Sequence, residues 1–324
     1  MNIDLTVNKI INLVEKCARA TGKNLSLPIL ACVLLKADES SGLLNIKSTN
    51  LDIGLELSLQ TKIKSGGTIA VPASIFLNFL SSIKNDSNIN LSAKDGNLII
   101  SSKNNTSTIK CFPIEDFPEI PNVSKDKVCV LSSKDFINGL KNVWYSSSTS
   151  SIKPELASVY VYPGGQELVF VATDSFRLAE KKIYYKNQSD FQPILIPYKN
   201  VPDIIKILDG LNTDLQVYFD KNQMEINFNG GKLISRVIDG SFPDYKQIVP
   251  KQTQTQGVVL KSDLINILKS AQVFSDNFNQ VRFKFEVKGG KIVISSKNND
   301  VGEYNETLDS KMEGDNMEIS FNYK

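Results

Sequence analysis

Hydrophobic and polar residues alternate along most of this chain. Between 52 and 64, Ile53, Leu55, Leu57 and Leu59 fall on one side, and Asp52, Glu56, Ser58 and Gln60 on the other. A period of two marks a strand with one buried face. Similar runs occupy 43–47, 89–92, 98–101, 107–112, 158–162, 168–172, 215–219, 224–228, 233–237, 281–287 and 292–295. Gly, Asn and Asp hold the intervening turns. The pairs Gly66-Gly67, Gly164-Gly165, Gly230-Gly231 and Gly289-Gly290 read as hairpin turns. Helical spacing is confined to a few stretches. Ile10, Leu13, Val14 and Cys17 share one face of the first, with Lys9, Asn12, Lys16 and Arg19 on another. Ile137, Leu140 and Trp144 form the apolar side of a second, and Leu264, Leu268 and Ala271 that of a third. Two further helices run from 72 to about 84 and from 197 to about 208, each with Pro in its first turn.

These elements repeat with a period of about 125 residues. Ile10-Ile11-Asn12 returns as Phe136-Ile137-Asn138 and as Leu264-Ile265-Asn266. Val71-Pro72-Ala73 returns as Ile196-Pro197-Tyr198, and Phe117-Pro118 as Phe242-Pro243. The next step of the Val71 series lands on Phe321-Asn322-Tyr323, beside the last residue. The pattern predicts an α+β fold of repeated units, each with two helices and antiparallel strands. Two units are complete and the third is shortened. Boundaries fall at 1–123, 124–250 and 251–324, the second at the polar run Lys251-Gln252-Thr253-Gln254-Thr255-Gln256.

Composition narrows the chemistry. The 324 residues are 41 % hydrophobic and 22 % charged, as in an ordinary globular protein. No apolar run approaches the roughly 20 residues that span a bilayer. No basic, apolar leader pattern opens the chain, so a cytoplasmic protein without membrane contact is expected. The absence of histidine removes Ser-His-Asp and Cys-His catalysis and histidine metal ligands. Cys17, Cys32, Cys111 and Cys129 form no C-x-x-C pair and sit among apolar neighbours, which predicts buried reduced thiols. No metal, cofactor or Gly-rich phosphate loop is expected.

Net charge is only +2, so distribution decides what the cations can do. Lys9, Lys16 and Arg19 line the polar face of the first helix; Lys134 and Lys141 lie on the second unit's first helix. Lys199 and Lys206 belong to its second helix, and Lys269 to the third unit. With Lys23, Asn24 and Lys153 they form a candidate surface for phosphate backbones, bound without base reading. Acids gather in loops, among them Glu115, Asp116, Glu119, Asp239 and Asp244. Lysines that only solvate outward helix faces are the competing reading.

Four motifs, in order, resemble those of the bacterial DNA polymerase III beta subunit, the sliding clamp. They are Leu27-Pro28-Ile29-Leu30, Glu115-Asp116-Phe117-Pro118, Ala172-Thr173-Asp174-Ser175-Phe176-Arg177-Leu178-Ala179 and Asp239-Gly240-Ser241-Phe242-Pro243-Asp244-Tyr245. The resemblance implies the DNA clamp fold and a head-to-tail homodimer closed into a ring of six domains. Such a ring is a non-catalytic processivity factor that encircles double-stranded DNA and slides on it. It also implies a pocket for peptides of the DNA polymerase III alpha subunit, the clamp loader complex and repair proteins. By resemblance that pocket comprises Leu156, Thr173, Ser175, Phe176, Arg177, Leu178, Pro243, Gln247 and Ile248. Phe176 and Gln247 replace the commoner His and Arg of the family. The implied dimer contact uses the strand around Ile109, and Val273, Phe274 and the strand near 300–308.

Members of that family continue beyond Tyr323 with a second helix and more strands. A shortened third unit is therefore expected to leave sheet edges unpaired and an apolar face uncovered. Two other functions stay open from the sequence. One is a peptide-binding module that does not encircle DNA; the other is an enzyme using lysine or carboxylate chemistry on an unrelated repeat fold.

Overall fold

A computed structural model describes residues 1–22, 27–84, 87–103, 105–123, 128–184 and 192–323. The first repeat runs β1 (Asn2–Thr6), α1 (Val7–Arg19), β2 (Cys32–Asp38), β3 (Leu43–Thr49), β4 (Ile53–Gln60), β5 (Lys62–Ser65) and β6 (Gly67–Pro72). It ends with α2 (Ala73–Ser82), β7 (Asn88–Lys94), β8 (Asn97–Ser101) and β9 (Thr106–Lys110). The second runs β10 (Val128–Ser132), α3 (Ser133–Lys141), β11 (Ser158–Gly164), β12 (Glu167–Thr173) and β13 (Leu178–Tyr184). It continues with β14 (Ile194–Pro197), α4 (Val201–Leu208), β15 (Asp214–Phe219), β16 (Gln223–Phe228) and β17 (Gly231–Arg236). The third holds β18 (Thr255–Val258), α5 (Lys261–Ala271), β19 (Gln280–Glu286), β20 (Lys291–Asn298), β21 (Gly302–Asp309), β22 (Lys311–Gly314) and β23 (Met317–Asn322).

These elements form two compact units, Met1–Phe242 and Pro243–Lys324. In the first unit an eight-stranded antiparallel sheet is shared by both repeats, in the order β10-β15-β16-β17-β4-β3-β2-β6. Its seam pairs Ile234 with Gly54 and Leu233 with Leu55. Glu56 serves both sides of that seam, 2.7 Å from Lys47 and 3.5 Å from Lys232. A five-stranded sheet (β5-β1-β7-β8-β9) and a four-stranded sheet (β13-β12-β11-β14) complete the unit.

The alternating run at 52–64 divides between two sheets. β4 joins the shared sheet, and after Thr61 β5 pairs with β1. Thr61 holds the crossover by donating its hydroxyl to the Asp4 carbonyl at 3.0 Å. The Gly66-Gly67 pair consequently links two different sheets and is no hairpin turn. The other three glycine pairs do sit between paired strands.

Helix α1 buries Val7, Ile10, Val14 and Cys17, close to the face its spacing predicts. It packs on α2 and, across the seam, on α4. Helix α3 starts where its sequence provides a cap. Ser132 Oγ accepts the Asp135 amide at 3.0 Å and donates to its carboxylate at 2.7 Å. Trp144 lies beyond the end of α3, in a short 3-10 turn at Trp144–Ser146. The helix expected from Pro197 starts at Val201, with Pro202 in its first turn and Lys199 in the turn before it. One continuous core runs from Ile3 to Val237. None of the four thiols forms a disulfide; Cys111 is half-buried and the other three are buried. Burial pushes Cys17 up to about 12 and Cys32 up to about 11, as expected of inert thiols.

The second unit has a four-stranded sheet, β21-β20-β19-β23, a two-stranded one, β18-β22, and a single α-helix among the described residues. Its core is Ile267, Ala271, Val281, Ile292, Ile294 and Leu308.

Candidate functional site

The cations of α1 and α4 meet around a cavity of about 690 Å³. Lys16, Arg19 and Lys206 line it, with Asn12, Asn229 and the Asp209-Gly210-Leu211 turn. Lys16 is half-buried, and its Nζ donates to the Asp209 carbonyl at 3.4 Å. Burial lowers its pKa, opposed by Asp209 and Glu15. Arg19 is paired with Glu15 at 3.2 Å. The cluster is therefore cationic but partly neutralised, suited to weak capture of an anionic polymer rather than tight binding.

Lys9 is exposed at the start of α1, Lys134 and Lys141 on α3, Lys153 in the loop after the Trp144–Ser146 turn, and Lys269 on α5 of the second unit. Lys199 does not join the α1–α4 cluster. It forms an ion pair with Asp52 at 2.6 Å. Lys23 and Asn24 lie outside the described residues.

The Thr173–Leu178 segment is a tight turn between β12 and β13. Thr173 is buried; its hydroxyl donates to the Arg177 carbonyl at 2.7 Å and accepts the Ser175 amide at 3.2 Å. Asp174 Oδ1 accepts the amides of Phe176 at 3.0 Å and Arg177 at 2.9 Å, and its Oδ2 accepts from Arg177 Nε at 3.0 Å. Burial raises the Asp174 pKa, but these amides and the guanidinium outweigh it and leave the carboxyl below its ordinary value. Ser175 adopts φ +77°, and the turn thrusts Phe176 outward, 97 % exposed. Leu178 opens β13 half-buried, and Leu156 is buried.

In the second unit, Pro243 precedes the short 3-10 turn Tyr245–Gln247. Gln247 Nε2 donates to Asp244 Oδ2 at 2.8 Å, and Ile248 is 71 % exposed.

Strand β9 is an edge of its sheet, as β21 is of its own. Ile109 points into the core, so β9 exposes its backbone edge rather than this side chain. Val273 is exposed, and Phe274 stacks on Tyr304 with ring centroids 6.0 Å apart. Among the described residues no group of His, Cys, Asp or Glu could hold a metal ion. No described helix is long and apolar enough to cross a membrane.

Pattern reading missed two features near the repeat seam. One is Glu225, 1 % exposed on β16, which accepts the Val123 amide at 3.3 Å and ties down the connector between repeats. Nothing local in the sequence announces it. The other is a second turn built like Thr173–Leu178, at Thr49–Gly54. Its signal was present as a Thr-Asn-Leu-Asp stretch one period before Thr-Asp-Ser-Phe.

Three family profiles match in chain order. They describe the DNA polymerase III beta subunit: its N-terminal domain at 1–121, its central domain at 130–244 and its C-terminal domain at 246–324. The beta sliding clamp of Synechococcus elongatus is 25 % identical over 322 residues, covering 98 % of this chain and 86 % of that protein. The beta sliding clamp of Synechocystis is 27 % identical over 330 residues, covering 95 % of this chain and 84 % of that one. The DNA polymerase III beta subunit structure from Thermotoga maritima superposes with a TM-score of 0.90 at 23 % identity, over 99 % of this chain and 87 % of its own. The Pseudomonas aeruginosa sliding clamp bound to griselimycin gives 0.92 at 20 % identity, over 100 % and 87 %. A fold of repeated helix pairs backed by antiparallel sheets is thus that of a DNA clamp. The chain belongs to the DNA polymerase III beta subunit family, the beta sliding clamps.

Proposed function

We propose that this protein is the processivity clamp of DNA polymerase III. Two copies join head to tail into a ring that encloses duplex DNA and slides on it without catalysis. The observation that carries this reading is the ordered match of all three beta-subunit domains along the chain. The domains are 1–123, 124–250 and 251–324. A ring retains DNA by topology, so its phosphate contacts need only be weak and sequence-independent. The half-neutralised cluster of Lys16, Arg19 and Lys206 supports that requirement.

The proposed DNA surface adds Lys9, Lys23, Asn24, Lys134, Lys141, Lys153 and Lys269. Lys199 is its weakest member, being held by Asp52. Dimerisation would add β21 of one copy to β9 of the other. Both are sheet edges, and the charges suit the pairing: Lys110 on β9, and Glu303, Glu306 and Asp309 on β21. The peptide pocket would use Leu156, the Thr173–Leu178 turn, Pro243, Gln247 and Ile248. Its partners are the alpha subunit, the clamp loader and repair proteins. The site of action is the cytoplasm.

The test is retention on circular DNA after clamp-loader treatment. A sliding clamp stays on closed circles and runs off when they are cut; loss from both alike would overturn the encircling reading. Charge reversal at Lys9, Lys16 and Arg19 together should weaken DNA association. The slope of log affinity against log salt should become shallower by roughly one for each phosphate that is no longer neutralised. An unchanged slope would exclude this face.

A further inference from the structure

The seam between the first two repeats holds a turn that repeats the threonine and backbone-amide hydrogen bonds of Thr173–Leu178. Thr49 Oγ1 donates to the Ile53 carbonyl at 2.9 Å and accepts the Leu51 amide at 3.0 Å. Asn50 Oδ1 accepts the amides of Asp52 at 3.0 Å and Ile53 at 2.7 Å. Leu51 has φ +75°, where Ser175 has +77°. Strand pairing is equivalent too: Thr49 faces Gly54 as Thr173 faces Leu178. The third repeat lacks this turn; Asn298 there accepts the Asp300 amide, and Asn299 has no positive φ.

The correspondence extends to the connectors. One period separates Pro118-Glu119-Ile120-Pro121 from Pro243-Asp244-Tyr245-Lys246. At the first of these joints, turn and connector enclose a cavity of about 330 Å³. Leu51, Ile120, Pro121 and Ile234 give it apolar walls. The connector can lie so close because position 54 is glycine; a Cβ there would stand 2.7 Å from Ile120 Cγ2.

Two polar side chains lining this cavity lack a partner among the described residues. Arg236 and Gln223 are cross-strand partners on β17 and β16. Arg236 is exposed and has no ion-pair partner among the described residues. Gln223 Oε1 is buried with no hydrogen-bond partner. The adjacent acid, Asp52, is already neutralised by Lys199. Leu51 is half exposed in a conformation that disfavours any branched side chain. Such an outlier at a cavity mouth is what a binding role would maintain against the cost in stability.

We propose that this cavity is a second peptide-binding site, specific for an extended acidic segment of a partner protein. One apolar side chain enters between Leu51 and Ile120-Pro121. A neighbouring carboxylate meets Arg236, the exposed cation of the cavity lining. Its volume fits one side chain with its backbone, at the small end of known ligand pockets. The inference goes beyond the proposed function and borrows from it only the idea that the Thr173 turn serves peptides.

The experiment is a titration of the full chain, methyl-labelled at Ile and Leu, with an N-acetylated, amidated peptide of alternating aspartate and leucine. Saturable shifts of the Leu51, Ile120 and Ile234 methyls are expected. Arg236→Glu should weaken that response about tenfold or more, and Leu178→Asp should leave it unchanged. Leu51→Gly should raise the thermal midpoint while weakening peptide binding, a split that a merely structural leucine would not give. No saturable shift at these three residues, or shifts indifferent to Arg236→Glu, would overturn the site. A response at Leu178 alone would remove this site and leave the pocket of the proposed function standing; a response at the Leu51 group alone would support this site and leave that pocket untouched.

Discussion

The two compact units use one repeat pattern to different depth. In Met1–Phe242, two repeats share an eight-stranded sheet, and four helices cover one continuous core. In Pro243–Lys324, one helix packs on a four-stranded sheet around six buried residues. Both units expose large apolar side chains, Ile152 and Phe176 in the first among them. In the second, Val258, Leu260 and Phe278 are more than two-thirds exposed, and Phe321 on the edge strand β23 is nearly half exposed. Apolar burial dominates folding stability, and small domains bury proportionately less of it. The same alternation thus serves a larger core in one unit and a smaller one in the other.

The largest expected effect breaks the weaker side of this comparison. Ile294 is fully buried at the centre of the second unit's core. Ile294→Ala should cost about 2–5 kcal/mol, enough to abolish folding of so small a core. Two urea transitions in the parent protein, read by fluorescence and circular dichroism, should become one. Retention of both transitions would show that the second unit draws its stability from elsewhere.

A smaller effect probes the close packing of the first unit. A Cβ on Gly139 of α3 would stand 2.6 Å from the ring of Phe170, which itself packs edge-on to Phe136 at 5.9 Å. Alanine would gain roughly 1 kcal/mol of helix propensity over glycine. Overpacking costs about 1–3 kcal/mol, so Gly139→Ala should be destabilising on balance. An increase in the midpoint of the first unit's transition would mean that this core is looser than its geometry.

The smallest effect separates the two matching turns. Asp174 and Asn50 occupy the same place, but only Asp174 titrates. Burial acts to raise its carboxyl, yet the Arg177 and Phe176 amides and the Arg177 guanidinium together hold it below the ordinary 3.8. A depressed folded pKa gives stability that is present above the ordinary value and lost as pH falls through the folded one. Because this turn faces solvent, the contribution is under about 1 kcal/mol. The Phe176 and Arg177 amide resonances should therefore lose their hydrogen-bonded shifts only at a pH below the ordinary carboxyl value of 3.8, while that of Ile53 keeps its own. Parallel movement of all three would put the effect outside Asp174.

Sequence pattern made much of the fold legible where a segment's environment repeats locally. β3, β7, β8, β11, β15, β16, β17, β19 and β20 all stand where alternation placed them, since a half-buried strand writes its environment into every second residue. β2 opens on two consecutive buried residues, Cys32 and Val33, before its burial alternates, and the polar Glu-Lys-Lys run of β13 gives no apolar alternation in sequence. For the candidate site, residue types and the period singled out the cationic helix faces, and the resemblance of the Ala172–Ala179 motif singled out the Thr173 turn. Distance in sequence hid the rest. Lys199 looks like a helix-face cation until Asp52, far away in the chain, pairs with it.

The repeat, the strand and helix periods and the chemistry of the turns are therefore written in the chain itself, because each depends on neighbours within a few residues. Tertiary packing alone joined β17 to β4 across the seam. It also let Glu225 and Gly54 seat the connector, and turned Arg236 toward an open cavity. Those outcomes depend on which distant surfaces exclude water from one another, a choice that no local pattern encodes.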